Sequence, residues 1–276
     1  MSEWKKSEIE YLKLNYETMS YRKLGEKIGR TDNAVQTKLG KLGLKRKSKY
    51  FYNKRFFEVI DTEEKAYWLG FIYADGYVVN NKTTRTYETA IQLKQSDFIH
   101  LEKFNSSLSG NIPIKKFNKQ VKDKTYELCQ IRLYSIDMMN DLEQHGVFQN
   151  KTFNIKFPND LKKELYSSFI RGFFDGDGSI YYQKGKKVYR CKFTSASIDF
   201  IKSLKEIIKL NVGVDFTIIN YKKHYDLLAK NQSDTFKFMN YIYYDSNIYL
   251  DKKKEIYKNI LECPPYKKLY GNKFEN

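Results

Sequence analysis

Asp75 and Asp177 stand 102 residues apart, each next to last in a stretch of one design: YWLGFIYADG at 67–76 and FIRGFFDGDG at 169–178. Both stretches read as helices with a glycine inside, closed by an aspartate and a second glycine. If the two helices cross, their carboxylates arrive together, each at the negative pole of its own helix dipole. Such acids repel unless a cation sits between them, and Mg2+ is the ordinary remedy for an all-oxygen site.

Two stripes would bring the acids together. Ala66, Gly70 and Ala74 in the first stretch become Ser168, Gly172 and Gly176 in the second, so every fourth residue is small and two backbones can touch. Glycine inside a helix costs about 1 kcal/mol against alanine. Close packing against a partner with its own small stripe offsets that loss, and the simplest partner is the other copy. Trp68, Leu69, Phe71, Ile72 and Ile170, Phe173, Phe174 would then reach outward into the core of each half. Gly76 and Gly178 are expected in the left-handed conformation that ends a helix.

These residues resemble the signature of the LAGLIDADG homing endonucleases of the monomeric two-repeat type, aligned as WLGFIYADG at 68–76 and IRGFFDGDG at 170–178. The resemblance covers roughly residues 60 to 260. It implies an α+β fold: a pseudo-twofold pair of αββαββ subdomains, expected at 62–155 and 156–276, whose two antiparallel sheets form a saddle over double-stranded DNA. It further implies that Asp75 and Asp177 are catalytic metal ligands, one for each DNA strand, with the carbonyls of Ala74 and Gly176 completing the shell. Two or more Mg2+ ions are implied, with Mn2+ as a substitute. Around the attacking water the family places polar and basic residues from the sheets. Gln95 is the candidate in the first half, with Ser195 in the corresponding place of the second. The family's active-site lysine has no clean match; Arg132 and Lys230, each three residues before an expected helix cap at Ser135 and Ser233, stand in for it. Asp175 is read as a supporting acid, absent from the first copy, where Tyr73 takes its place.

The sheets can be read from alternation alone. In KKVYRCKFTS at 186–195, Tyr189, Cys191 and Phe193 alternate with Arg190, Lys192 and Thr194, giving one buried and one wet basic face. ETAIQLKQSD at 88–97 sets Gln92 and Lys94 opposite Ile91 and Leu93, and in YELCQIRLYS at 126–135 Gln130 and Arg132 share a face. Amide and basic side chains at a two-residue period can read base edges and phosphates.

The first fifty residues form a separate expectation. Apolar residues at helical spacing from Trp4 to Leu44 give three short helices, with starts at Ser20 and Thr31-Asp32 and stops at Gly29 and Gly43. This predicts a helix-turn-helix domain at 1–48, similar to small Trp-containing modules found beside phage endonucleases. Asn33, Gln36 and Thr37 would face bases, and Arg30, Lys38, Lys41, Lys45 and Arg46 phosphates. A three-helix bundle for protein contact is the alternative. Residues 49–61 read as a basic aromatic linker lying on a DNA backbone, or as a short helix.

A net charge of +17 and a pI near 9.4 favour a polyanion. The lysines recur through helical and strand-like segments alike, which favours nucleic acid over a membrane surface. Three scattered cysteines fit neither a disulfide framework nor a zinc knuckle, and His100, His145 and His224 stand too far apart for a His-Asn-His metal site. With no membrane span or signal segment in view, a cytoplasmic monomer, in a bacterial or phage-infected cell, is expected. The functional expectation is a site-specific, Mg-dependent double-strand DNA endonuclease of an intron-homing or other mobile element. A non-cleaving DNA-binding regulator on the same fold and an intron RNA maturase are the alternatives.

Overall fold

The structure is a computed structural model that describes residues 3–44 and 48–271. It divides into two compact units, Met1–Phe51 and Tyr52–Asn276.

The first unit is made of α1 (Lys6–Asn15), α2 (Tyr21–Ile28) and α3 (Asp32–Lys41). Leu12, Leu24, Val35 and Leu39 form its core, one or two from each helix. The Ser20 and Thr31 hydroxyls accept from the amides of Lys23 and Ala34, capping α2 and α3 as their types favour. Gly29 closes α2 at φ +71°, a conformation glycine adopts freely. A Cβ at Gly25 would overlap the Arg30 carbonyl, so the turn between α2 and α3 lies directly on α2.

The second unit repeats one plan. Its first half runs α4 (Glu63–Asp75), β1 (Gly76–Asn81), β2 (Thr86–Lys94), α5 (Phe98–Ser107), β3 (Lys115–Val121), β4 (Lys124–Tyr134) and α6 (Ile136–Gln144). The second runs α7 (Tyr166–Asp177), β5 (Gly178–Gln183), β6 (Val188–Ser195), α8 (Ile198–Val212), β7 (Thr217–Asn220), β8 (Tyr225–Leu228) and α9 (Gln232–Tyr243), followed by α10 (Asp251–Leu261) and α11 (Pro264–Tyr270). The sheets are antiparallel, ordered β1-β2-β4-β3 and β5-β6-β8-β7. In the first sheet Val78, Ile91, Leu93, Cys129 and Ile131 share the core face, as the two-residue period of a strand allows; on the other face Lys94 and Arg132 are exposed and Gln92 is half-buried, while Ala90 and Gln130 are buried as well.

Two expectations fail here. The segment at 49–61 is not a free linker: from Tyr52 it belongs to the second unit, with Phe56 and Phe57 buried and the Asn53 amide bonded to the Leu108 carbonyl. Phe56 and Phe57 supply core, with Tyr52 packed against it, whereas Tyr50 and Phe51 stay exposed. Nor are Gly76 and Gly178 left-handed; both are extended, at φ −81° and −85°. Each is the first residue of a strand, so the chain leaves the helix straight into the sheet. Glycine is needed there because a Cβ would overlap atoms of Ile72 or Phe174 one turn back.

Candidate functional site

The small stripes make the contact on which the site depends. A Cβ added at Gly70 would overlap the carbonyl oxygen of Phe169, and one at Gly172 that of Tyr67. These are matching positions under the 102-residue repeat, so α4 and α7 cross on a pseudo-twofold axis with their backbones touching. At the far end a Cβ on Gly176 would overlap the Ala74 methyl and stand 3.3 Å from Asp75 Oδ2. Ala66 and Ser168 are buried at the other end. The seam therefore carries the Asp75 carboxylate onto the backbone beside Asp177.

Both carboxyls are pushed above the ordinary carboxylate range. Burial is the main cause for each, and for Asp177, raised to about 6, the neighbouring Asp75 charge adds to it. The cations that oppose these shifts are Lys253 and Lys151, joined at Asp75 by Lys252. Neither Arg132 nor Lys230, the stand-in basic residues, is among them. Arg132 lies on the outward face of the first sheet, donating to Gln130 Oε1 at 2.6 Å within a network that includes Tyr77 and Glu88. Lys230 is held by Asp215 at 2.5 Å, and the cap of α9 is Asn231 rather than Ser233. Ser135 does cap α6.

Lys151 and Lys253 are the residues that sequence reasoning missed, yet a signal was present. They too stand 102 apart, each 76 residues after its aspartate. Lys253, on the first turn of α10, sits at the C-terminus of α7, its ammonium donating to the carbonyls of Phe174, Asp175 at 2.9 Å and Gly178 at 2.6 Å. There it answers the negative helix pole. Burial lowers its pKa to about 8, while Asp175, Asp75 and Asp177 oppose the shift. Lys151 is buried as well, with its charge favoured by Asp177 and Asp75. Lys252 bonds to Asp97 at 2.6 Å and Lys103 to Asp251 at 2.5 Å, so α10 of the second half is fastened to the first.

Gln95 follows the last residue of β2, half-buried at the sheet end nearest Asp75, in a single 3-10 turn. Its counterpart is misplaced in the sequence reading. Gly76 pairs with Ile91 and Gly178 with Phe193, which makes Leu93 the mate of Ser195 and Ser197 the mate of Gln95. Ser195 is buried, with its hydroxyl accepting from the Ser197 amide. The Ser197 hydroxyl is consumed as well, donating to the Ile155 carbonyl at 2.6 Å and capping α8. Asp175 does not support a metal either. It is buried away from solvent and accepts from Tyr67, Tyr243 and the Leu250 amide.

Gln92, Lys94, Arg190 and Lys192 lie on the outward faces of the sheets, although Lys192 is bound to Asp226 at 2.6 Å and Arg190 to the Lys230 carbonyl at 2.6 Å. In the first unit Asn33, Gln36 and Thr37 are exposed on one face of α3. Arg30 is not free for phosphate: its guanidinium clasps Glu8 at 3.0 and 3.1 Å, donates to the Glu3 carbonyl at 2.7 Å and lies over the Trp4 ring. Lys45 and Arg46 fall outside the described residues.

The donor set suits a magnesium ion in a particular way. Among the described residues no group of three or more His, Cys, Asp or Glu converges. Two carboxyls, both raised by burial and Asp177 also by the Asp75 charge, are what the protein offers. Mg2+ characteristically takes one or two carboxylates and fills its octahedron with water and substrate phosphate. The carbonyls of Ala74 and Gly176 belong to the last turns of α4 and α7, where helices leave acceptors unused.

A family model described as a LAGLIDADG-like domain matches residues 164–243. Among curated proteins, the probable translation initiation factor IF-2 of Methanocaldococcus jannaschii is 32% identical over 128 residues, 45% of this chain. The chain spans only about a tenth, 10%, of that relative's length. Among solved structures, the homing endonuclease I-WcaI bound to its DNA recognition sequence aligns over 78% of this chain and 90% of its own, at 13% identity and a TM-score of 0.53. A lysine-to-alanine mutant of I-SmaMI aligns over 76% and 93%, at 13% identity and a TM-score of 0.51. Among the described residues no helix is long and apolar enough to cross a membrane. The paired motif helices, the twin four-stranded sheets and the match over the second half give this chain the LAGLIDADG fold in its two-motif form, a fold it shares with homing endonucleases.

Proposed function

We propose that the protein is a site-specific DNA endonuclease that hydrolyses both strands of a duplex with divalent metal, Mg2+ by choice. The observation that carries this reading is the convergence of Asp75 and Asp177 at the end of the α4–α7 seam, with a buried lysine from each half beside them. A fold that served binding alone would gain nothing from burying two like charges together, since each raises the other's free energy.

Asp75 and Asp177, with the carbonyls of Ala74 and Gly176, would hold the metal, which would supply polarisation of the scissile phosphate and a lowered pKa for the attacking water. The chain's own part is to fix the acids in place and partly to offset the burial that disfavours their charged form. Lys151 and Lys253 favour the charged carboxylates, and in the complex their ammonium groups are suited to charge developing on phosphate oxygens. Gln95 is placed to orient water in the first half. In the second half the matching residue, Ser197, is spent within the fold. The outward sheet faces meet the duplex, and α3 of the first unit adds a second contact through Asn33, Gln36 and Thr37.

Incubating purified protein and Mg2+ with a randomised duplex library, and sequencing the cut ends, tests this function. Cleavage at a single long consensus, lost in Asp75→Asn and Asp177→Asn while gel-shift binding persists, is the expected result. Binding without any cut by the wild-type protein would leave a DNA-binding regulator in its place.

A further inference from the structure

Lys151 and Lys253 are repeat mates, yet their ammonium groups are held in different ways. Lys253 donates to three carbonyls, whereas among the described residues no hydrogen bond or ion pair fixes the Lys151 ammonium, which only feels the charges of Asp177 and Asp75. The place of Lys151 is therefore set by the chain that carries it, and that chain is gripped upstream. The Tyr73 hydroxyl donates to the carbonyl of His145, the residue that closes α6. A Cβ at Gly146, whose φ is +89°, would overlap the same hydroxyl, so the chain passes Tyr73 in contact. The His145 ring is seated in turn: its Nε2 donates to the Phe57 carbonyl at 2.8 Å, and its Nδ1 meets Asp160 Oδ2 at 2.8 Å. One residue thus joins the segment before α4, the end of α6 and the segment before α7. Just beyond it Val147 is buried, with its amide bonded to the Leu142 carbonyl at 2.8 Å, and the chain then runs on to Lys151.

Tyr73 is also the repeat mate of Asp175. Asp175, two places before Asp177, accepts from the Leu250 amide at 2.7 Å, three places before Lys253. Tyr73, two places before Asp75, donates to a carbonyl six places before Lys151. In one half a carboxylate accepts from an amide, and in the other a phenol donates to a carbonyl. The polarity is reversed and the tie is kept. In both, the last turn of the motif helix holds an acid and also grips the chain that delivers a lysine. A displacement of about 1 Å in such a group can cost on the order of a hundredfold in rate.

We propose that Tyr73 and His145 form a clamp that positions Lys151 against the acid pair, making Tyr73 the first half's counterpart of Asp175. What the lysine then does rests on the DNA-cleaving reading, whereas the clamp is a property of the protein alone. Both are positioning residues and touch no substrate.

The experiment reads the clamp without DNA or metal. Acetylation by a water-soluble amine reagent, in chelator, is followed at Lys151, at Lys253 and at the exposed Lys82 by peptide mass spectrometry. Tyr73→Phe keeps the ring against Phe169 and Phe200 and removes only the hydroxyl. It is expected to speed labelling of Lys151 by about tenfold, the change in an opening equilibrium that 1.4 kcal/mol gives, with Lys253 and Lys82 unchanged. Asp160→Ala, a change at an exposed side chain, loosens the His145 ring from outside and is expected to act in the same direction. Labelling of Lys151 that stays at the wild-type rate in both variants overturns the clamp. So does a rise at Lys151 and Lys253 together, which is what general loosening of the fold would give. Selective exposure of Lys151 in a protein that cuts no duplex supports the clamp and removes the nuclease reading alone.

Discussion

The Tyr67 hydroxyl donates to Asp175 Oδ2 at 2.7 Å, while the two residues at the repeat-related positions, Phe169 and Tyr73, meet ring to ring at 5.1 Å. One side of the helix seam is thus closed by a charged hydrogen bond and the other by an edge-to-face aromatic pair. Asp175 has two further donors, Tyr243 and the Leu250 amide, and the latter fixes the entry to α10 and so the position of Lys253. Tyr67→Phe is expected to lower stability by about 1–3 kcal/mol, because a buried carboxylate loses one of its donors. Urea unfolding measures it, and an unchanged midpoint would contradict the assigned bond.

Gly70→Ala and Gly172→Ala place a methyl group onto a main-chain carbonyl of the opposite helix. Overpacking of this kind costs about 1–3 kcal/mol, and neither backbone can retreat without opening the seam. Cleavage is expected to fall further than stability predicts, on the order of a hundredfold, since the acids separate with the helices. Rates measured well below the melting temperature isolate that part.

Asp177 gives a pH signature. Its carboxyl is raised to about 6 in the folded protein from an ordinary value of 3.8, so between these values the native state binds more protons than the unfolded chain. Stability of the metal-free protein from this group therefore falls as pH rises through that window, by about 3 kcal/mol in all. Asp177→Asn is expected to flatten the profile and to be the more stable protein at neutral pH while being inactive. A melting series from pH 4 to 7 in chelator would show it.

His100 slopes the other way. It is buried against Tyr67 and Trp68, its Nδ1 has no partner, and burial lowers its pKa to about 3 from 6.5. Here the unfolded chain holds the extra proton, so stability is complete above 6.5 and is lost as pH falls toward 3. Substitution His100→Phe is expected to remove several kcal/mol of this acid sensitivity, on the order of 4. Comparing melting at pH 7 and pH 4.5 separates it from the opposite trend of Asp177.

The two lysines should differ in kind. Lys253→Ala uncovers three carbonyls at the end of α7 and is expected to reduce both stability and cleavage. Lys151→Ala is expected to reduce cleavage by about tenfold or more with a smaller change in stability, because its burial is compensated by charge rather than by bonds of this kind. Parallel unfolding and strand-labelled cleavage assays test the contrast, which equal stability losses would refute.

The seam and its acids were legible because both rest on local rules: a small residue every fourth position, and an aspartate ahead of a helix-ending glycine. What failed was longer in reach. Arg30 looked like a phosphate contact because Glu8 and Trp4, its true partners, lie 22 and 26 residues back in the chain. Gly76 looked left-handed because a helix end was foreseen but not a strand beginning on the very next residue. The repeat offset, applied to Asp75 and not to Gln95, would have led to Ser197; applied to the segment before the second helix, it would have paired Lys151 with Lys253. Lys230 failed for want of Asp215, a partner that only the tertiary fold brings to it.

The unequal sides of the seam also bear on the ancestry and engineering of the chain. If the second half paired with a copy of itself, Phe169 would replace Tyr67 and leave Asp175 facing a hydrocarbon ring, short of a donor at each of two equivalent places. A self-pair of the first half would set Tyr67 against Tyr73, one phenol beside another. Duplicated modules that have diverged in this manner are no longer interchangeable parts, and grafting either half onto a foreign mate demands that this lock and key be transplanted with it.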